Sequence, residues 1–128
     1  MSDVRRALAS AGYGATISGL DASSSALESL AGPGLLWLDR SRFAGADLRQ
    51  ATLDGWHFKL CDLTGANLRG ASLRGASFAG CDLTGADLRD TDLTDARFEP
   101  VGAGRGAIAT RLDRAMVDPG VKLSPPGS

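Results

Sequence analysis

The chain contains few residues of the kinds that perform chemistry, and their spacing does not assemble a catalytic set. It has one histidine, His57, and two cysteines, Cys61 and Cys81. No second pair of ligands lies near the cysteines to complete a metal site. A nucleophile combined with a histidine and a carboxylate is not readable, and the glycines do not form a phosphate-binding loop. We therefore expect a protein that is not an enzyme and that needs no metal or cofactor.

Charged residues recur at a spacing that could build a binding surface. Three arginines are twenty residues apart, and an aspartate or asparagine precedes each of them by two residues: Arg49, Arg69 and Arg89, with Asp47, Asn67 and Asp87. Such rows could neutralise each other through salt bridges on a solvated wall, where each pair contributes little. Alternatively, they could form a recognition face for an acidic partner.

A strict five-residue period explains this spacing. Every fifth residue from 43 to 98 is Leu or Phe: Phe43, Leu48, Leu53, Phe58, Leu63, Leu68, Leu73, Phe78, Leu83, Leu88, Leu93 and Phe98. The residue two places earlier is small in eleven of these twelve units. Because residues two apart in an extended chain point to the same side, each unit places one large and one small residue inward.

Neither a straight strand nor an α-helix can satisfy this period. Five is odd, so the apolar face of a strand would change sides at every unit. In an α-helix the centres would advance by about 140° each time and spiral around the axis. The chain must therefore turn a corner in every unit, which predicts a solenoid.

The units also resemble a known family. The pattern A-(D/N)-L-x-x, seen as Ala46-Asp47-Leu48-Arg49-Gln50 and Ala86-Asp87-Leu88-Arg89-Asp90, is similar to that of pentapeptide-repeat proteins. The resemblance implies an all-β solenoid, a right-handed quadrilateral β-helix with four units, or 20 residues, per coil. We expect about three coils over residues 36–105, with the leucines and phenylalanines stacked in columns. Cys61 and Cys81 would stack in adjacent coils as free thiols that behave as small hydrophobic groups.

Residues on either side of the repeats are predicted to form helical caps. Residues 1–35 would be an N-terminal cap with helices at 3–11 and 26–31, the second preceded by a capping box. Residues 106–118 would be a helix, because Ile108, Leu112 and Met116 recur every four residues, and it would cap the solenoid or form a homodimer contact. Residues 119–128 are predicted to be disordered.

Trp56 is the one large residue where the pattern expects a small one. Either its ring points inward and widens the first coil, or the chain bulges and exposes it. In the second case Trp56, His57 and Leu60 would form a patch, and Trp is a common interface anchor. Leu60 belongs to this patch because it replaces the usual glycine at an outward place.

Length, charge and hydropathy limit the partners. The 128 residues carry a net charge of −1, so the chain as a whole has no electrostatic attraction to nucleic acid or to an anionic membrane. No apolar run approaches the roughly 18 residues of a membrane span, and the N-terminal residues lack a signal-peptide core. We expect one domain in the bacterial cytoplasm, with no membrane association and no direct nucleic-acid binding.

The function that these features favour is a rigid module that docks a bacterial partner protein of unknown identity. The alternative comes from the resemblance: some pentapeptide-repeat proteins imitate DNA and inhibit or protect DNA gyrase, and a defence nuclease system would be a related target. Residues 41–100 contain nine acidic and seven basic residues, a net charge of −2. Duplex DNA carries one charge per about 1.7 Å, so a short, nearly neutral rod is a poor copy of it.

Overall fold

The computed structural model describes residues 3–119 and 121. One helix, α1 (Asp3–Ala9), precedes five short strands, and a 3-10 helix (Gly104–Gly106) follows them. The strands are β1 (Ala15–Ser18), β2 (Leu36–Asp39), β3 (Trp56–Lys59), β4 (Ser77–Ala79) and β5 (Arg97–Glu99). They form one parallel sheet in chain order, so each coil of the chain adds one strand beside the previous one.

Three further sides of the solenoid are held by single β-bridges between coils. Arg42, Asp62 and Asp82 are bridged on one side, Asp47, Asn67 and Asp87 on the next, and Thr52, Ser72 and Asp92 on the third. The predicted twenty-residue coil with four sides is therefore confirmed. The solenoid has about four coils, one more than the sequence predicted.

The predicted core columns lie inside these coils. Eleven of the twelve five-residue centres are buried, and Leu93 is half-buried in the last coil. The rings of Phe58 and Phe78 stack with centroids 4.9 Å apart, and those of Phe78 and Phe98 stack at 5.3 Å. Leu38 continues this column, since it is in register with Phe58. Burying each such side chain contributes about 1.5–3 kcal/mol.

The N-terminal prediction was wrong for the second helix. Residues 26–31 form no helix; Ala26 bridges to Asp47, and Ala31 bridges to Thr52. They belong to an additional coil that begins at β1, and within residues 3–35, the described part of the predicted cap, only α1 is helical. This coil pairs residues 21 apart on all four sides, as in Ala15 with Leu36 and Asp21 with Arg42, so its pattern is one residue out of step with the main repeat.

The C-terminal helix predicted at residues 106–118 was also wrong. Val101 and Ile108 form an antiparallel bridge that closes a short excursion of the chain. The coil then resumes, because Arg111 bridges to Asp82 and Met116 to Asp87, 29 residues apart instead of 20. The predicted homodimer contact through a C-terminal helix therefore has no helix to form it. Of the predicted disordered tail at 119–128, all but residues 119 and 121 lie outside the described residues.

Candidate functional site

The arginine row is largely occupied by its own aspartates. Arg49 donates from Nε to Oδ1 of Asp47 at 2.8 Å and from Nη2 to Oδ2 at 2.7 Å. Arg89 makes the same paired bonds to Asp87, at 2.9 Å and 2.7 Å. These guanidinium groups are the largest influence that lowers the pKa of Asp47 and Asp87 below the ordinary value.

Arg69 differs because Asn67 replaces the aspartate. Its Nε instead contacts Oδ2 of Asp90 in the next coil at 3.2 Å, a single bond in place of two. A groove of about 430 Å³ runs along this side, lined by Glu28, Ser29, Arg49, Gln50, Arg69, Gly70 and Asp90. The structure therefore brings Arg49 and Arg69 to one groove. Arg89, Asp47 and Asp87 do not line it.

The second residue of the repeat has a structural role that the sequence did not reveal. Its side-chain oxygen accepts the backbone N–H two residues later, which stabilises the corner of each coil. The residues that act in this way are Asp21, Asp47, Asp62, Asn67, Asp82, Asp87 and Asp92. Hydrogen bonds from Thr84 and Thr94 also lower the pKa of Asp82 and Asp92. These side chains therefore help to maintain the fold, whatever charge they also present to solvent.

Trp56 does not belong to an exposed patch, so its assignment as a partner-binding residue was wrong. Its side chain is fully buried, and its indole N–H donates to the carbonyl oxygen of Pro33 at 2.8 Å. The inward alternative is the correct one. Room for the ring comes from Gly32 of the additional coil, where a side chain would collide with the indole.

Leu60 lies at a corner of the solenoid and not beside His57. It is half-buried, with a φ of 54°, the left-handed conformation that glycine has elsewhere at this place. Its Cδ2 is 3.0 Å from the point that a Cβ on Gly80 would occupy, so Leu60 covers that glycine in the next coil. The side chain therefore packs along the corner and does not join the candidate surface.

The aromatic surface that the structure does form is built by Trp37 and His57. Their rings stack with centroids 4.0 Å apart and an interplanar angle of 12°. Trp37 is 45% exposed and His57 is half-buried. Burial lowers the pKa of His57, and the nearby Glu99 carboxylate opposes this shift.

We call the outward surface of β1–β5 the sheet wall. A groove of about 730 Å³ lies on it, lined by Trp37, His57, Gly75, Ser77, Ala79, Asp95, Arg97 and Glu99. Sequence reasoning missed Trp37 as a candidate. Its signal was available in the alternation of Leu36, Trp37 and Leu38, which places Trp37 outward, twenty residues before His57.

The two cysteines are free thiols inside the core, as predicted. The Sγ of Cys81 donates to the carbonyl oxygen of Phe58 at 3.1 Å. The neighbouring Cys61 thiol and burial both raise the pKa of Cys81, so it is not an activated nucleophile. Within residues 3–119 and 121, no group of three or more potential metal ligands comes together, and no helix is long and apolar enough to cross a membrane.

Comparisons with known proteins agree with this geometry. Pentapeptide repeats, in eight copies, match residues 41–78 and 61–99. The pentapeptide repeat protein Rfr23 from the cyanobacterium Cyanothece 51142 is 26% identical with a TM-score of 0.61, over 83% of this chain and 63% of that one. A pentapeptide repeat protein from the thylakoid lumen of Arabidopsis thaliana is 25% identical with a TM-score of 0.43, over 80% of this chain and 61% of that one.

QnrB1, a plasmid-mediated fluoroquinolone resistance protein, is 25% identical with a TM-score of 0.44, over 66% of this chain and 46% of that one. This chain thus spans less than two thirds of the length of each of these three structures. No curated protein matched the sequence. The eight repeat copies, the four-sided coil and the likeness to Rfr23 show that residues 41–99 of this chain are a pentapeptide-repeat solenoid.

Proposed function

We propose that this protein is a non-enzymatic protein-binding module, a rigid scaffold that docks a bacterial partner protein on its sheet wall. The observation that carries the proposal is the stacked and exposed pair Trp37 and His57. Tryptophan is enriched among the few residues that dominate the binding energy of protein interfaces. Exposed aromatic area on a flat wall is a natural site for such contacts.

The sheet wall favours binding because its aromatic side chains are already held in place before a partner arrives. Behind His57 lies Phe58, whose ring is stacked on that of Phe78 in the core. Trp37 and His57 already hold each other by stacking. Side chains that are fixed before binding lose less conformational entropy when a partner arrives. Binding at Trp37 and His57 should therefore lose little free energy to the ordering of these side chains.

A DNA-like antagonist of gyrase or of a defence nuclease system is the competing function. It would require rows of uncompensated negative charge along the solenoid. The carboxylates of Asp47 and Asp87 instead form paired bonds with arginines of the same coil. The carboxylate of Asp92 also faces an arginine, since Nε of Arg74 lies 3.9 Å from it. These contacts favour the docking module over the antagonist.

The test is capture of a partner by the immobilised full chain from a lysate of the cells that produce it, with and without nuclease. We expect one stoichiometric protein to be retained, and to be lost with Trp37→Ser. Tyr13→Ser is the matched control, because Tyr13 is also an exposed aromatic residue, at 78%, but does not line the sheet-wall groove.

Other outcomes would contradict the proposal. If Trp37→Ser retains the partner and Arg69→Ala loses it, the docking site is the arginine groove. Displacement of the partner by duplex DNA would favour the DNA-like antagonist. Substrate turnover by the purified protein would contradict both binding functions.

A further inference from the structure

The sheet wall has a slot between His57 and Arg97. Across strands β3, β4 and β5 the outward residues in register are His57, Ser77 and Arg97. The middle residue is much shorter than the two on either side. Gly75 and Ala79, which line the groove beside Ser77, are also small. Because neighbouring strands are about 4.8 Å apart, the strand positions of His57 and Arg97 are separated by roughly 9.6 Å.

One flat group fits into this width. A planar group at the level of Ser77 would lie about one strand spacing from His57. The fold contains ring pairs at comparable separations, with centroids 4.9 Å apart for Phe58 and Phe78 and 4.0 Å for Trp37 and His57. Trp37, His57 and Ser77 are consecutive in register across β2, β3 and β4. Because Trp37 stacks on one face of His57, the opposite face of the imidazole lies on the Ser77 side. The slot is thus prepared for a planar group.

The charges around the slot favour a positively charged ligand. Asp95 and Glu99 contribute two carboxylates to the groove, and Arg97 contributes one guanidinium. The contact between Arg97 and Glu99 is loose, at 3.9 Å. Lys59 stands on the same wall but does not line the groove. A single positive charge placed in the slot would therefore balance the groove.

We propose that the slot binds an arginine side chain of the partner protein, with its guanidinium stacked on His57 and hydrogen-bonded to Glu99 or Asp95. Guanidinium is the planar side-chain cation that stays charged at neutral pH, and it both stacks on aromatic rings and pairs with carboxylates. The lysine side chain is charged but has no planar group. The side chains of Phe, Tyr and Trp are planar but carry no charge. This inference rests on the proposed function and identifies the chemistry of the partner.

The experiment is an NMR titration of the ¹⁵N-labelled full chain with N-acetyl-arginine amide. We expect shifts at the amides of Ser77 and Ala79 and at the His57 ring. Binding should be roughly two- to fivefold tighter than for N-acetyl-lysine amide or N-acetyl-tryptophan amide. Glu99→Gln should weaken arginine binding by a similar factor. Ser77→Tyr, an outward change that fills the slot, should abolish the shifts while the thermal unfolding curve stays unchanged.

Several results would overturn this inference. Equal binding of the lysine probe would mean that charge alone acts, and tighter binding of the tryptophan probe or of an oligonucleotide would mean that the guest is of another class. Shifts at Arg49 and Arg69 instead of Ser77, or no shifts at all, would also refute it. If the arginine probe fails but Trp37→Ser still abolishes capture of the partner, the docking function stands and only the arginine slot is wrong.

Discussion

The ring of Trp56 occupies the space that a side chain on Gly32 would need. A Cβ built on Gly32 would lie 2.5 Å from Cζ2 of Trp56 and 3.1 Å from the carbonyl oxygen of Leu8 in α1. The largest residue of the core thus faces the smallest one in the neighbouring coil. The departure from the repeat at Trp56 and the departure at Gly32 compensate each other, and Leu8 of the first helix lies close to Gly32.

Gly32→Ala is expected to destabilise the protein by about 1–3 kcal/mol, because the added methyl group must displace a buried ring. The free energy of unfolding in urea measures this. Gly12→Ala is the matched control, since a Cβ on Gly12 would meet nothing within 4 Å. Equal effects of the two substitutions would show that the Trp56 ring does not lie over Gly32.

The two tryptophans should differ strongly in their contribution to stability. Trp56→Ala removes a fully buried ring and should cost about 3–5 kcal/mol. Trp37→Ala removes a ring that is 45% exposed and should cost about 1 kcal/mol, mainly its stacking on His57. Denaturation followed by circular dichroism compares them. A larger loss for Trp37→Ala would reverse the assignment of the buried and exposed residues.

Adjacent residues in one repeat should respond in opposite ways. Leu68 is fully buried in the core, so Leu68→Asp should prevent folding by burying an unpaired charge. Arg69 is exposed and makes a single contact to Asp90, so Arg69→Ala should change the free energy of unfolding by less than about 0.5 kcal/mol. A cooperative melt of Leu68→Asp within a few degrees of wild type would refute the inward position.

Acid should remove stability through the paired aspartates. The pKa of Asp87 is lowered in the folded protein, by Arg89 above all. A depressed pKa means that the stabilisation is complete above the unfolded value of about 3.9 and is lost as the pH falls through the folded pKa. We therefore expect the unfolding free energy to decrease below about pH 4.

Exchanging aspartate and asparagine in this row provides the check. Asp87→Asn should lower stability at neutral pH and flatten its decrease in acid. Asn67→Asp should do the opposite, since it restores the aspartate two residues before Arg69. Urea denaturation between neutral pH and the acid range measures both. Identical acid profiles for the two variants and the wild type would show that the Asp–Arg pairs do not contribute.

The buried thiols should be protected from chemical modification. Cys61 and Cys81 are 3% and 1% exposed, so a thiol reagent should modify them only when the solenoid opens. The labelling rate should increase with urea in parallel with unfolding. An engineered Ser23→Cys, at an exposed corner, is the control that should react at once. Rapid native-state labelling of Cys61 or Cys81 would contradict the inward column.

Much of the fold was predictable from particular residues, and the candidate surface was not. The period of Phe58, Phe78 and Phe98 predicted both the coil length and the core column. The alternation of Leu36, Trp37 and Leu38 places Trp37 outward, but its stacking on His57 could not be predicted, because that contact depends on which strand lies beside it. Nor could the spacing of Arg69 predict its contact with Asp90, since that contact joins two coils.

The predictions for the flanking coils were wrong for a related reason. Their inward residues repeat at the same five-residue interval but out of step with the main series. Thr110, Leu112, Ala115 and Val117 continue the alternation of small and large residues. The four-residue spacing of Ile108, Leu112 and Met116 suggested a helix instead, and the correct register appears only when Arg111 is seen beside Asp82.

The sequence by itself determined the coil, because alternation within a unit and a corner in every fifth residue are local properties of the chain. The tertiary structure decided where the solenoid begins and ends, which aromatic residues are exposed, and how the aspartates are used. Those features depend on contacts between residues about twenty or more apart, and the physical reason is that each coil becomes stable and acquires its neighbours only when it stacks on another.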